Sequence, residues 1–221
     1  MAAELNFNNK CWYKDVCRDK ACSGCVRYSE MVYLMQASGL PEAKWRPIDL
    51  YAGTKNDTKM FNRLAELKNN IVDFVETGSN LYIASRHTGN GKTSWSLKLL
   101  FKYFDQIWAG NGFRTRGIFI YVPSFLLKLK DFKNPISSEL RKNIECCDLV
   151  IWDDIASTEL SNYDYSQLLL FIDSRMMAEK SNIFTGNVVE ESELREVIGE
   201  RLASRIFNTS QIVVFDGKDQ R

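Results

Sequence analysis

The chain has 221 residues, 45% of them hydrophobic and 26% charged, with a formal net charge of +1. That length holds one sizeable domain with a small appendage. The near-zero charge excludes a global field that recruits nucleic acid, so any such contact needs a local patch. No run of about 18 apolar residues is present, which excludes a transmembrane span. Residues 1–6 lack the basic and apolar regions of a signal peptide, and the reading is a cytosolic protein.

Four of the six cysteines crowd into one short stretch: Cys11, Cys17, Cys22 and Cys25, spaced C-x5-C-x4-C-x2-C. In a reducing compartment such a cluster points to metal ligands rather than disulfides. Soft thiolates favour tetrahedral Zn²⁺, and Cys22-Ser23-Gly24-Cys25 has the knuckle spacing of structural zinc. An iron–sulfur cluster is the alternative, although ferredoxin spacings do not match; unmetallated cysteines are the plain reading. The surrounding Lys10, Trp12, Tyr13, Lys14, Arg18, Lys20, Arg27 and Tyr28 suit nucleic acid or a protein partner equally.

A helix over residues 27–35 is expected to pack on this cysteine module. Gly39 and Pro41 stop it, and residues 41–55 read as an irregular linker. Asn56, Asp57 and Thr58 can cap a long helix to about residue 76, with Phe61, Leu64, Leu67, Ile71 and Phe74 at helical spacing. A strand over residues 81–84 then leads through a glycine-rich loop into a helix over 94–108. Further strands are expected at 117–122, 149–152, 182–184 and 211–215. Helices are expected at 124–132, 137–146, 163–178 and 190–207. Apolar strands alternating with helices predict a three-layer α/β domain with a central, mostly parallel sheet. The boundaries are residues 1–38 for the module, 39–56 for the linker and 57–221 for the α/β domain.

The chemistry gathers at strand ends. Thr88, Gly89, Asn90, Gly91, Lys92, Thr93 and Ser94 have the form of a phosphate-binding loop. Its backbone N–H groups wrap phosphates, Lys92 reaches them, and the Thr93 hydroxyl sits on Mg²⁺. Arg86 replaces the first glycine of G-x-x-x-x-G-K-[ST]; an ordinary glycine-rich turn is the bland alternative. Asp153 would hold Mg²⁺ through its water shell, and Asp154 would polarise the attacking water. Asp154 is one methylene shorter than Glu, so turnover is expected to be slow. Both acids could instead cap the next helix. Asn187 could orient water without cancelling charge.

In the helix at 190–207, Arg201 and Arg205 fall inside the apolar stripe of Leu194, Val197, Ile198, Leu202 and Ile206. Either local carboxylates neutralise them, or they reach a neighbouring subunit's nucleotide as arginine fingers. Arg114, Arg116, Phe125, Lys128, Lys130, Phe132 and Lys133 suit single-stranded nucleic acid, cations on the backbone and rings on bases. A solvated basic helix face fits them as well. His87 reads as a loop residue, and Cys146 and Cys147 as buried beside the third strand.

Four motifs together resemble the AAA+ ATPases of the DnaC/DnaI helicase-loader group, phage-encoded versions especially. They are Thr88-Gly89-Asn90-Gly91-Lys92-Thr93, Leu149-Val150-Ile151-Trp152-Asp153-Asp154, Ile183-Phe184-Thr185-Gly186-Asn187 and Gly199-Glu200-Arg201-Leu202-Ala203-Ser204-Arg205-Ile206. The resemblance covers about residues 57–221. The cysteine module is similar to the N-terminal zinc-binding domain of DnaI-type loaders, which engages the replicative helicase. The last seven residues resemble the short tail of this group, where Arg221 would contact nucleotide. The resemblance implies a P-loop (AAA+/ASCE) fold, ATP with Mg²⁺ on Lys92 and Thr93, and a Walker B pair at Asp153 and Asp154. It further implies Asn187 as sensor 1 and Arg205 or Arg201 as the finger in a self-associated AAA+ assembly. Residues 125–133 fall where the group carries a helical insertion that contacts single-stranded DNA.

The function so implied is ATP-dependent loading of a hexameric replicative helicase onto single-stranded DNA, in a bacterial host's cytoplasm if the chain is phage-encoded. An IstB-like transposition ATPase and a nucleotide-gated adaptor with little hydrolysis are the competing readings.

Overall fold

The structure is a computed structural model that describes residues 11–17, 24–45, 49–131, 133 and 136–217. Five strands form one sheet in the order β2-β3-β4-β1-β5: β1 Asn80–Ala84, β2 Gly117–Tyr121, β3 Leu149–Asp153, β4 Ser181–Gly186 and β5 Ser210–Val214. Every pairing is parallel, so each link between strands is a helical crossover, and strands covered on both faces must be apolar on both. Alternate residues accordingly enter two different cores. Leu81, Ile83, Leu149, Ile151 and Ile183 face one layer. Tyr82, Ala84, Val150, Trp152 and Phe184 face the other. This is the three-layer α/β fold expected from the sequence.

The first layer holds α1 Val26–Ala37, α2 Lys55–Asn69, α3 Ile71–Glu76 and α4 Lys92–Ile107. The second holds α5 Val122–Leu129, α6 Ser138–Cys146, α7 Asn162–Met177, α8 Glu191–Ile198 and α9 Glu200–Thr209. Among the described residues no helix is long and apolar enough to cross a membrane.

Three expectations change. The long helix expected to run to residue 76 breaks at Asn70, which lies outside helical geometry between α2 and α3. Its cap is Thr54, whose side chain accepts from the Asp57 N–H at 3.0 Å; Asp57 itself is buried. The helix assigned to the cysteine module shares its core with the α/β domain, because Met31, Leu34 and Met35 are buried with Leu99, Phe104 and Leu149. Trp12 follows it, packing on Trp45 and on Phe101 of α4. Tyr13 Oη donates to Asp105 Oδ1 at 2.7 Å, and Arg27 pairs with the same oxygen at 2.5 Å. Finally, Cys147 is buried as expected, but Cys146, on the outer face of the last turn of α6, is exposed.

Candidate functional site

Ligands bind open parallel sheets beyond the carboxyl ends of the strands, and the polar motifs meet there. The loop after β1 turns on Gly89 and Gly91, with φ of 69° and 96°. Both are in the left-handed region that glycine enters without strain. Leu50 seals the far side: a Cβ on Gly91 would lie 3.1 Å from Leu50 Cδ2. Lys92 opens α4 and is buried, its Nζ donating to the His87 carbonyl at 2.9 Å. The Asn90 side chain turns inward and donates to Ser85 Oγ and to the Gly217 carbonyl at 3.4 Å. Thr88 is exposed, while Gly89 and Ser94 are half-buried.

At the second residue of α4, Thr93 Oγ1 donates to Asp153 Oδ1 at 2.7 Å. Thr185 Oγ1, on β4, reaches the same oxygen at 2.7 Å and also accepts from the Asp154 N–H at 3.0 Å. Asp154 takes φ of 64°, a conformation that costs a non-glycine residue about 1–2 kcal/mol. Asn187 Nδ2 donates to Asp154 Oδ1 at 3.3 Å. Loop, acids and amide therefore arrive from three adjacent strands, β1, β4 and β3.

Burial pushes the Asp153 carboxyl above the usual carboxylate range. The hydroxyls of Thr185 and Thr93 oppose that shift, and the adjacent Asp154 charge adds to it. Neither acid forms an ion pair among the described residues. Two neighbouring carboxylates and a threonine hydroxyl, all oxygen donors without a cation, are the ligand chemistry that suits Mg²⁺. Thr185 was missed as a site residue, although the motif that carries it was read; its role appears only once β4 lies beside β3.

Other expected residues lie elsewhere or are engaged. The helix read over 190–207 is two helices broken at Gly199, where φ is 86° and a Cβ would meet the Tyr165 ring at 2.8 Å. The break rotates Arg201 and Arg205 out of the apolar stripe. Their side chains are 61% and 48% exposed, and both pair with Asp173 of α7, at 2.9 and 2.8 Å.

In the basic segment Phe125 is buried against Trp152 and Phe171, so it cannot stack on a base. Lys130 pairs with Asp164 at 2.6 Å, and Arg116 with Asp148. Arg114, Lys128 and Lys133 are exposed, beside exposed Tyr121 and Leu127.

Cys11 is buried and its Sγ accepts from the Tyr13 N–H; Cys25 caps α1 and accepts from the Tyr28 N–H, both at 3.4 Å. Cys17 is exposed. Among the described residues no group of three or more Cys, His, Asp or Glu forms a metal site. Cys22, Phe132 and Arg221 lie outside the described residues.

The loop after β1 and the acid pair on β3 meet at the carboxyl end of a five-stranded, all-parallel α/β sheet. Solved structures share this fold. The DnaC helicase loader aligns with a TM-score of 0.65 at 18% identity, over 80% of this chain and 100% of that one. DnaI aligns with 0.64 at 19%, over 82% and 94%. AMPPCP-bound DnaA from Aquifex aeolicus aligns with 0.60 at 16%, over 75% and 48%. No family model matches the chain, and no curated protein does.

Proposed function

We propose that the chain is an ATP-dependent helicase loader. The observation that carries this reading is the network joining Thr93, Asp153, Thr185, Asp154 and Asn187 beside the phosphate loop, in a fold shared with two loaders.

In this reading the N–H groups of residues 88–94 receive the phosphates of ATP, and Lys92 leaves the His87 carbonyl to join them. Thr93 and Asp153 would hold Mg²⁺, whose charge would offset that of the phosphates. Asp154, oriented by Asn187, positions a water in line with the γ-phosphorus; the bond to the β-bridging oxygen breaks, leaving ADP and phosphate. Asp154 has the short reach of aspartate, which supports slow turnover. Exposed Arg201 or Arg205 would complete a neighbour's site, so assembly accelerates hydrolysis.

Single-stranded DNA is proposed to cross Arg114, Lys128 and Lys133, with Tyr121 as an exposed ring. Arg116 and Lys130, already paired, contribute less. DnaA, a fold relative, has been solved with AMPPCP and single-stranded DNA. Cys11, Cys17, Cys22 and Cys25 are proposed to bind Zn²⁺. The knuckle spacing of Cys22 and Cys25 supports this reading. This module would dock a hexameric replicative helicase, in the host cytoplasm if the chain is phage-encoded, and Arg221 would reach the nucleotide.

ATP hydrolysis with single-stranded DNA, for wild type and Lys92→Ala, tests the enzyme. Activity lost on substitution supports it, and ATP bound but hydrolysed by neither favours the nucleotide-gated adaptor. Capture of a hexameric replicative helicase, lost on Cys22→Ser, tests the loader; capture that ignores the module overturns its assigned role.

A further inference from the structure

Arg86 occupies the position where a phosphate loop normally begins with glycine, and its side chain makes a contact that glycine cannot. Nη1 and Nη2 each donate to Glu193 Oε1 at 3.0 Å. Glu193 lies in the first turn of α8, so one ion pair ties the phosphate loop to the α8–α9 arm. Glu193 is also the acid of that turn aimed at the loop; Glu191 is committed to Arg195 at 2.7 Å.

The hold is weak and the cation is strong. The two side chains are 56% and 43% exposed, and exposed pairs contribute about 0–1 kcal/mol. Both guanidinium nitrogens converge on one oxygen, which leaves the fork unused for bidentate recognition. A terminal phosphate carries about −1.5 to −2 charge and three acceptor oxygens, and arginine meets it with two parallel bonds. It therefore outcompetes a single exposed carboxylate for the same group. Arg86 is also in the right place. Ser85 on one side accepts from Asn90, and the His87 carbonyl on the other accepts from Lys92 Nζ at 2.9 Å. The residues on either side of it are thus each bonded across the loop.

We propose that Arg86 is a residue specific for the terminal phosphate of a nucleoside triphosphate. Glu193 holds it in the empty chain, and binding of the triphosphate draws it away and unties α8. A diphosphate offers nothing beyond what the loop backbone already binds, so it leaves the pair intact. Because α8 ends at Gly199 and α9 carries Arg201 and Arg205, untying α8 alters how those arginines are held. This rests on the nucleotide-binding reading above.

Binding of AMPPCP and ADP, each with Mg²⁺, is measured by calorimetry on the full chain, for wild type, Arg86→Gly, Arg86→Ala, Glu193→Gln and Lys92→Ala. Both Arg86 variants are expected to weaken AMPPCP about tenfold and ADP less than twofold. Glu193→Gln, which removes the competitor, tightens AMPPCP about two- to threefold and leaves ADP unchanged. In hydrogen exchange, AMPPCP raises exchange in α8 of the wild type, and Glu193→Gln shows raised exchange without nucleotide. Equal weakening of both nucleotides, no weakening of either, or an α8 indifferent to AMPPCP overturns the inference. Lys92→Ala reports separately on the underlying reading. If it binds both nucleotides as wild type does, the nucleotide site itself is misassigned; if it alone loses them, only the role of Arg86 falls.

Discussion

Both ends of the parallel sheet carry buried polar groups, and the two ends treat them in opposite ways. At the amino ends of the strands, Arg175 is wholly buried and every bond it makes is internal. Nε donates to Asn182 Oδ1 at 2.8 Å, Nη1 to the Ile144 and Cys147 carbonyls at 2.6 and 2.9 Å, and Nη2 to the Ser181 carbonyl at 2.6 Å. Asp148 beside it accepts from Arg116, from Tyr103 Oη at 3.0 Å and from Lys180 at 3.1 Å. At the carboxyl ends, Asp153 and Asp154 share hydroxyls and an amide and form no ion pair among the described residues, and Lys92 Nζ donates to the His87 carbonyl. A network saturated with internal partners holds a fold together, whereas buried carboxylates without a paired cation are the kind of group that functional sites use.

The largest expected effect tests the saturated end. Arg175→Met removes its donors from the Ile144, Cys147 and Ser181 carbonyls at once, while Asn182 Oδ1 keeps the Trp152 Nε1–H at 3.1 Å. An unsatisfied buried group costs about 1–3 kcal/mol, and relief of the arginine's own desolvation offsets part of that. A net loss of about 3–5 kcal/mol is expected, a fall in Tm of about 6–20 °C for a chain of this size. Nucleotide affinity at low temperature should be unaffected. Melting within about 3 °C of wild type would show that the amino-end network is ornamental and the comparison empty.

The carboxyl end should respond the other way. Asp154→Asn keeps the shape and removes one charge from a crowded pair, so stability should hold within about 1 kcal/mol. Hydrolysis should fall by about 100-fold, the scale of a general base or water-positioning group, with ATP affinity changed less than threefold. Single-turnover kinetics with thermal melts separate the two readouts. If the variant hydrolyses normally, Asp154 caps the following segment and nothing more.

The contrast has a pH signature of middle size. Burial alone would raise the Asp148 carboxyl, but the bonds from Arg116, Lys180 and Tyr103 outweigh it and hold the group below the usual carboxylate range. A depressed native value means that the unfolded chain binds the proton first as pH falls. The contribution of Asp148 is therefore complete above about pH 4–5, where the unfolded carboxyl is ionised, and drains away below. Urea midpoints between pH 7 and pH 3 should fall more steeply for wild type than for Asp148→Asn, which starts lower. Parallel curves for the two proteins would assign acid sensitivity to other carboxylates.

What could be read from the sequence follows the range of the forces involved. The phosphate loop, the apolar strands and the Asp153-Asp154 step are set within a few residues of chain, and all lie where their spacing predicts. Arg175 was invisible because its acceptors come from α6, β4 and the turn before β3, which only the folded sheet assembles. Phe125 looked available because its neighbours in sequence are basic; its neighbours in space are Trp152 and Phe171. The helix at 190–207 failed at one residue. Periodicity runs through Gly199 unbroken, whereas the backbone turns there to clear the Tyr165 ring.

That turn leads to the smallest effect. Asp173 is the acid that both Arg201 and Arg205 share, at 17% side-chain exposure against 61% and 48% for the arginines. Exposed pairs contribute about 0–1 kcal/mol each, so Asp173→Ala, which removes two of them, should lower Tm by no more than about 8 °C. The same substitution frees two guanidinium groups on an exposed face. If they act on a neighbour's phosphates, ATPase measured against protein concentration should rise at lower concentration than in wild type, because the arginines no longer have to leave Asp173. Should the concentration dependence stay unchanged while Arg201→Ala and Arg205→Ala are silent, the pair belongs with Arg175, a structural contact on a more exposed face.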